Sequence, residues 1–149
     1  ATSLRAAGSM ADFIPIPAGG TMLPTSEENV RNRLHYNRMK GNETFKLAVR
    51  NIEDVSRQVI TVSGLTPSDI DHYIPHQANR RIIEAVGSRL GLKPEQVYMN
   101  IDRVGNTSSA SIPIALDEVV RAGRVHPGDH VLCAAFGAGL TWGAALLRW

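Results

Sequence analysis

The sequence has a single cysteine, Cys133, among its 149 residues. One thiol cannot close an internal disulfide, and it cannot supply the pair of cysteine ligands that a structural zinc site commonly uses. A disulfide-stapled scaffold is therefore excluded, and cysteine usage favours a reducing, cytoplasmic setting.

Long apolar runs and blocks of charge are lacking as well. No segment approaches the roughly 20 apolar residues that span a bilayer, so a membrane protein is not expected. The formal charge is only +2 and aromatic residues make up 5% of the chain. Lys/Arg blocks interleaved with aromatics are missing, which argues against a nucleic-acid binder. No charged segment followed by an apolar core is present, so no secretory signal is predicted. Residues 1 to 17 already look like extended structure, so we expect the natural start to lie upstream.

The composition that is present, 43% hydrophobic and 20% charged residues, is typical of one globular domain, which we predict over residues 1–149. Residues 1 to 17 predict one or two strands. Residues 18 to 43 are polar and predict a long surface loop with at most one helical turn. From Thr44 the apolar residues recur three and four positions apart until Gly64, which predicts an amphipathic helix.

The rest of the sequence alternates short apolar segments with amphipathic ones. The predicted elements are a strand at 70–75, a helix at 78–90, a strand at 96–101, a helix at 109–122 and two final strands joined by the turn 137–140. This alternation predicts the α/β class, with a mixed, mainly parallel sheet covered by helices on both faces and closed by an antiparallel hairpin.

Two polar side chains follow strands of this predicted sheet. His76 comes directly after the strand at 70–75, and Asn106 follows the strand at 96–101. Loops that leave the carboxyl ends of parallel strands meet at one edge, and the glycine-rich turn at 136–143 could join them there. An imidazole and a carboxamide together offer two donors to an enolate or oxyanion. Such residues also commonly do no more than tie down a loop, so residue types alone leave both interpretations open.

Four separated motifs decide between them. They are "RMKGNETFKLAV" (38–49), "IPHQANRRII" (74–83), "DRVGNTSSASIPIALDE" (102–118) and "FGAGLTWGAALLRW" (136–149). In this order they resemble the C-terminal half of the β-ketoacyl-acyl carrier protein synthase III family, in the thiolase-like superfamily. The resemblance covers essentially the whole chain.

The resemblance implies a decarboxylative Claisen condensation that starts fatty acid synthesis. In the family, an acyl group moves from coenzyme A to a cysteine, and a malonyl thioester on acyl carrier protein then loses CO2 and attacks the acyl-cysteine. The matching His76 and Asn106 would stabilise the malonyl enolate. Gly139 would contribute a backbone N–H to the oxyanion hole of the acyl-cysteine, and Phe136 would form a wall near His76.

Further positions match family residues that bind the substrate arm or the carrier protein. Asn42, Phe45 and Asn79 match positions that line the pantetheine channel. Arg80 and Arg81, with Arg81 favoured, would belong to a basic surface that docks the acidic acyl carrier protein. Ordinary solvated charge is an equally good interpretation of the two arginines.

The nucleophilic cysteine of the family lies in the N-terminal half, which this sequence does not contain. Cys133 does not replace it, because an apolar strand surrounds it and buried free cysteines are usually inert. The chain alone should therefore lack the acylation step and need the missing half as its partner. The family pattern implies a homodimer for the complete enzyme and no cofactor other than the coenzyme A thioester substrate.

A metal site and a serine nucleophile are not favoured. His72 and His76 would stand about 13 Å apart in a strand, too far for one metal ion. Ser108, Ser109 and Ser111 lack a nucleophile elbow and are predicted to cap the helix at 109–122. Two alternative functions stay open: a starter-unit condensing enzyme of secondary metabolism, and a non-catalytic partner half that stabilises a complete synthase.

Overall fold

The computed structural model describes residues 1–149 and contains one four-stranded sheet. Its strands lie in the order β1-β4-β3-β2. Strand β3 pairs in parallel with β2 and antiparallel with β4, and β1 adds to the outer side of β4 in antiparallel register. The strand bounds are β1 Thr2–Ala6, β2 His72–Pro75, β3 His130–Gly137 and β4 Thr141–Arg148.

Five α-helices connect or cover these strands. Their bounds are α1 Glu27–Arg31, α2 Gly41–Val62, α3 Arg80–Leu90, α4 Ile101–Val104 and α5 Ser111–Arg121. Helix α3 ends at Gly91, whose φ of 78° is the left-handed conformation that glycine adopts without steric cost. The predicted loop is confirmed over residues 18 to 40, and α1, capped by the Ser26 side chain, is its one short helix. Helix α2 begins at Gly41, three residues before its predicted start at Thr44.

The larger core lies between α2 and one face of the sheet. The predicted apolar stripe of α2 is buried there, including Ala48, Ile52, Val55 and Val59. Alternate strand residues point into the same layer because side chains of a strand alternate between faces, and these are Tyr73, Leu132, Ala134, Ala144 and Leu146. Val62, at the end of the stripe, is 66% exposed because α2 stops there.

Helix α5 covers the opposite face over β2 and β3. The intervening strand residues Ile74, Val131 and Cys133 pack there against Ala115 and Val119. Farther along this face, over β1 and β4, the apolar side chains stay open: Leu4 is 77% exposed and Leu147 is 43% exposed. Helices therefore lie on both faces, as expected, but α5 covers only half of its face.

Two expectations about the sheet need correction. The sheet is mixed, but only one of its three strand pairings is parallel. The predicted strand at 96–101 is absent: Pro94–Gln96 forms a 3-10 turn, Val97 makes a single parallel bridge to Tyr73, and Ile101 already begins α4. The apolar side chains of residues 96–101 are packed against the core, but their backbone forms no continuous strand pairing. Burial alone explains the apolar spacing that predicted a strand.

Residues 1 to 17 were predicted to form one or two strands, and the structure has one. Only β1 is a strand, and residues 8 to 13 form a 3-10 turn. In addition, no helix of the chain combines the length and the apolar character that crossing a membrane requires.

Candidate active site

His76 leaves the carboxyl end of β2 with its backbone held by the sheet. Its N–H donates to the Ala134 carbonyl at 2.8 Å, which extends the parallel β2–β3 pairing by one step. The ring is half-buried, and its Nδ1 lies 2.5 Å from the Oγ of Ser111. Burial lowers the pKa of His76, so the neutral imidazole is favoured at neutral pH.

The neighbouring Gln77 anchors this loop from inside and is fully buried. Its Nε2 donates to the Pro75 carbonyl at 2.8 Å, and its Oε1 accepts from the N–H of Asn100 at 3.0 Å. The side chain thus ties the residue that precedes His76 to the segment that leads into α4. Sequence reasoning missed this role, because a glutamine after a strand has no periodic or spacing signal.

Asn106 follows α4 and not a strand, so this expectation about its placement was wrong. Gly105, with φ of 65°, ends α4, and Ser108 has a φ of 53°, a left-handed conformation that is uncommon outside glycine. The Oδ1 of Asn106 accepts the Ser108 N–H at 2.9 Å. Its Nδ2 has no acceptor within the chain, and the residue is exposed. Both Nδ2 hydrogens are therefore free to donate.

Ser111 connects the two loops. It is the first residue of α5, five positions after Asn106, and it is fully buried. Its Oγ contacts His76 Nδ1 and accepts the Gln77 N–H at 3.3 Å. The prediction that the serines of this segment cap α5 was wrong, since the residue before α5 is Ala110 and makes no side-chain cap. Ser111 instead bonds to the loop of another element.

The glycine-rich turn joins β3 and β4 at the tip of the hairpin. Gly139 is exposed and has a φ of 132°, a conformation that side chains rarely adopt. Its N–H has no acceptor within the chain, while the next residue, Leu140, exchanges backbone hydrogen bonds with Ala7 at 2.8 and 3.2 Å. Phe136 stacks on Trp142 with ring centroids 6.3 Å apart. This stacking holds the Phe136 ring against the neighbouring strand β4.

The predicted channel and docking residues gather at the starts of α2 and α3. Asn42 is exposed in the first turn of α2, and Phe45 lies one turn further on. The Arg81 guanidinium lies over the Phe45 ring at 5.1 Å. Asn79 is the N-cap of α3, and its side chain accepts the Arg81 N–H at 2.9 Å. Arg80 instead pairs with Glu84 at 2.7 Å. Arg81 is thus the arginine here whose side chain has no carboxylate partner.

His72 and Cys133 were not favoured as a metal ligand and a nucleophile on sequence grounds. His72 stands at the opposite end of β2 from His76 and contacts Asp129 at 3.1 Å. Cys133 is buried under α5, and burial raises the pKa of its thiol to about 11. A thiol with such a pKa carries almost no thiolate at neutral pH, so Cys133 is a poor nucleophile.

The mixed sheet, the covering helices and the polar loops at one end of β2 define half of a thiolase-like domain. The family model of the 3-oxoacyl-[acyl-carrier-protein] synthase III C terminal matches residues 60–149, and the chain belongs to this family. β-Ketoacyl-[acyl-carrier-protein] synthase III of Symbiobacterium thermophilum is 57% identical over 133 residues, which are 89% of this chain and 40% of the relative. The family inferred from the four motifs is confirmed.

Solved structures agree in fold. The 3-oxoacyl-[acyl-carrier-protein] synthase III of Aquifex aeolicus VF5 superposes with a TM-score of 0.85 at 44% identity, over 100% of this chain and 44% of the other. The priming β-ketosynthase of the R1128 polyketide biosynthetic pathway does so with a TM-score of 0.80 at 33% identity, over 99% of this chain and 43% of the other. The thiolase-like α/β fold is confirmed, and the chain spans less than half the length of these relatives.

Proposed function

We propose that this chain is the C-terminal catalytic half of a 3-oxoacyl-acyl carrier protein synthase III. The complete enzyme would condense an acyl group from acyl-CoA with malonyl-acyl carrier protein and thereby initiate fatty acid synthesis. The names of the relatives support the reaction class. The observation that carries the proposal is that His76 Nε2 and Asn106 Nδ2 have no hydrogen-bond partner within the chain.

These two donors suit the decarboxylation step. When the bond between the malonyl C2 and its carboxylate breaks, CO2 leaves and the electron pair delocalises onto the thioester oxygen as an enolate. Preorganised N–H donors stabilise charge that develops on such an oxygen. Neutral His76, favoured by its burial, can donate through Nε2, and Asn106 can donate through Nδ2. The enolate carbon then attacks the acyl thioester.

The acyl thioester would be held by a cysteine of the N-terminal half. Attack forms a tetrahedral intermediate, whose collapse expels the cysteine thiolate and leaves the 3-oxoacyl product on the carrier protein. Gly139 supports this step, because its exposed N–H is free to donate to the oxyanion, and Phe136 would flank the site. No cofactor is required, because the thioester itself activates both partners.

The test separates the two half-reactions in an enzyme that combines this chain with the N-terminal half. We expect His76→Ala and Asn106→Ala to abolish condensation while the nucleophilic cysteine is still acylated by acetyl-CoA, read by intact-protein mass. His35→Ala is the matched control, since His35 is exposed and its ring packs edge-on against Tyr36 outside the proposed site. Normal condensation by both site variants would refute the assignment.

Carrier-protein docking is proposed for Arg81 and Arg80, beside Asn42, Phe45 and Asn79, which are proposed to line the pantetheine channel. Arg81 supports this most strongly, because its charge is not neutralised by a neighbouring carboxylate, whereas Arg80 is paired with Glu84. An acidic carrier protein would be steered to such a charge and would bind more weakly in high salt. Arg81→Ala should raise KM for malonyl-acyl carrier protein more than Arg80→Ala does, with malonyl-CoA as the substrate that neither variant affects. Equal effects would argue against a special role for Arg81.

Assembly and location follow as further proposals. The open apolar face over β1 and β4, with Leu4 77% exposed, supports packing against additional polypeptide, because large apolar patches associate. We propose that the N-terminal half completes the domain and that the complete enzyme is a cytoplasmic homodimer. Light scattering of the complete enzyme should give the mass of two copies, and a monomeric mass would reject the dimer.

Two other functions are distinguished by experiment. The 33% identical priming β-ketosynthase favours a starter-unit enzyme of secondary metabolism, which turnover of a panel of acyl-CoA chain lengths would distinguish. A non-catalytic partner half that stabilises a complete synthase is the second alternative. Intact mass before and after incubation with acetyl-CoA tests the latter: acetylation of a co-purifying chain supports a two-piece enzyme, and acetylation of Cys133 would overturn the mechanism.

A further inference from the structure

The buried hydroxyl of Ser111 has two neighbours, and both belong to the loop that carries His76. The Oγ lies 2.5 Å from His76 Nδ1 and 3.3 Å from the backbone nitrogen of Gln77. The Oγ makes no hydrogen bond to any carbonyl or carboxylate of the chain. Because Ser111 is fully buried, solvent offers it no alternative partner.

Counting hydrogens assigns the direction of each bond. The Gln77 N–H can only donate, so the Ser111 Oγ accepts there. The hydroxyl has one hydrogen, and the only acceptor within reach is His76 Nδ1. If Nδ1 carried a hydrogen instead, the Ser111 hydroxyl hydrogen would be buried without an acceptor, which is unfavourable. Nδ1 is therefore the unprotonated nitrogen, and neutral His76 carries its hydrogen on Nε2.

We propose that Ser111 is a positioning residue that holds His76 in the Nε2–H tautomer, so that the ring donates a hydrogen bond outward. This inference rests on the proposed function, in which that donor stabilises the malonyl enolate. The opposite tautomer would direct a nitrogen lone pair at the enolate oxygen, and two lone pairs repel each other. The hydrogen bond at one ring nitrogen generally decides which hydrogen the other carries.

Other hydrogen bonds already fix the position of the loop that carries His76. The contact with Ser111 therefore acts on the orientation of the imidazole ring. The His76 N–H is bonded to Ala134 of β3, and Gln77 is bonded to Pro75 and Asn100. The bond to the Ser111 Oγ is the one hydrogen bond that the imidazole itself makes. Removing the hydroxyl should therefore leave the backbone path intact and release the ring.

The first experiment records nitrogen-15 NMR of the histidine-labelled complete enzyme at neutral pH, with His76→Gln identifying the His76 signals. The nitrogen-15 shift separates a ring nitrogen that carries a hydrogen from one that does not. We expect an unprotonated Nδ1 and a protonated Nε2 in the wild type, and a tautomer mixture in Ser111→Ala. Ser109→Ala is the matched control, because Ser109 is exposed and makes no side-chain hydrogen bond. A protonated Nδ1 in the wild type would overturn the proposal without any variant.

The second experiment measures both half-reactions in the same variants. For metal-binding histidines, loss of the group that fixes the ring costs about 10- to 100-fold in activity, and we expect a loss of that order here. We expect that loss in the condensation rate of Ser111→Ala, unchanged acylation of the nucleophilic cysteine, and recovery in Ser111→Thr, which keeps the hydroxyl. Wild-type condensation by Ser111→Ala would overturn the positioning role.

Failure of the proposed function gives a different result. In that case His76→Ala itself condenses at the wild-type rate, whatever tautomer the NMR signals report. If His76→Ala is inactive and Ser111→Ala keeps both the Nε2–H tautomer and full activity, the proposed function stands and the inference about Ser111 is refuted.

Discussion

Replacing Asn106 by aspartate separates the two uses that the carboxamide has in this structure. The Oδ1 accepts the Ser108 N–H at 2.9 Å and holds the turn in which Ser108 has a φ of 53°. The Nδ2 is the free donor proposed for the enolate. An aspartate keeps an oxygen for Ser108 and loses the donor, whereas alanine loses both.

The expected magnitude follows from the donor. Removing one preorganised donor from an oxyanion site typically costs about 10²- to 10³-fold in kcat, or about 2.7–4 kcal/mol. The aspartate also brings a negative charge next to a developing enolate, which repels it further. Asn106→Asp should therefore lose at least as much condensation activity as Asn106→Ala. If the side chain only tied the loop, aspartate would retain wild-type activity and alanine would not.

The assay follows 3-oxoacyl product formation from acetyl-CoA and malonyl-acyl carrier protein in the complete enzyme, with acylation of the nucleophilic cysteine measured separately by mass. Asn32→Asp makes the same change of charge at an exposed position outside the proposed site and should be neutral. An Asn106→Asp enzyme that condenses normally beside an impaired Asn106→Ala enzyme would refute the donor role.

Three further predictions concern stability. Tyr73→Phe should raise the free energy of unfolding by about 1–3 kcal/mol in urea denaturation, because the buried Tyr73 hydroxyl has no partner; a loss of stability would contradict this. Gly143→Ala would place a Cβ 2.9 Å from the Ser3 backbone oxygen as well as 2.6 Å from the Leu4 side chain, so β1 must shift and its amides should exchange faster with solvent; unchanged protection would argue against the clash. Hydrogen bonding, first from Arg103, lowers the pKa of Glu118 from 4.5 to about 2. The stabilisation that the ionised Glu118 gives to the folded state is therefore present above pH 4.5 and is lost as the pH falls toward 2. Glu118→Gln should flatten acid unfolding in that window, and an unaltered acid transition would contradict the assignment.

The amphipathic helices could be predicted closely from the sequence. The apolar spacing of α2 and α3 matches their buried faces, and Gly91 ends α3 in the left-handed conformation as its position suggested. These features depend on local periodicity and on the backbone freedom of glycine, which the sequence displays directly. Cys133 was likewise placed correctly in a buried strand, because its neighbours are all apolar.

The predicted strand at 96–101 shows where local pattern was insufficient. Burial of Val97 and Tyr98 against the core satisfies the same apolar spacing that a strand would need, and only hydrogen-bond partners distinguish the two cases. The prediction of a mainly parallel sheet followed from that error, because a strand at 96–101 would have added a parallel pairing. Pairing is a long-range property that short windows do not contain.

The sequence by itself determined the family, the helical faces and the two polar residues, His76 and Asn106, because motifs and periodicity are local. Only the tertiary structure decided how those residues are held. Ser111 was taken for a helix cap from its neighbours in sequence, yet its hydroxyl meets a ring 35 positions away. Gln77 reaches Asn100 across 23 positions. Hydrogen-bond partners of buried side chains are set by how distant elements pack, and that packing exists only once the chain has folded.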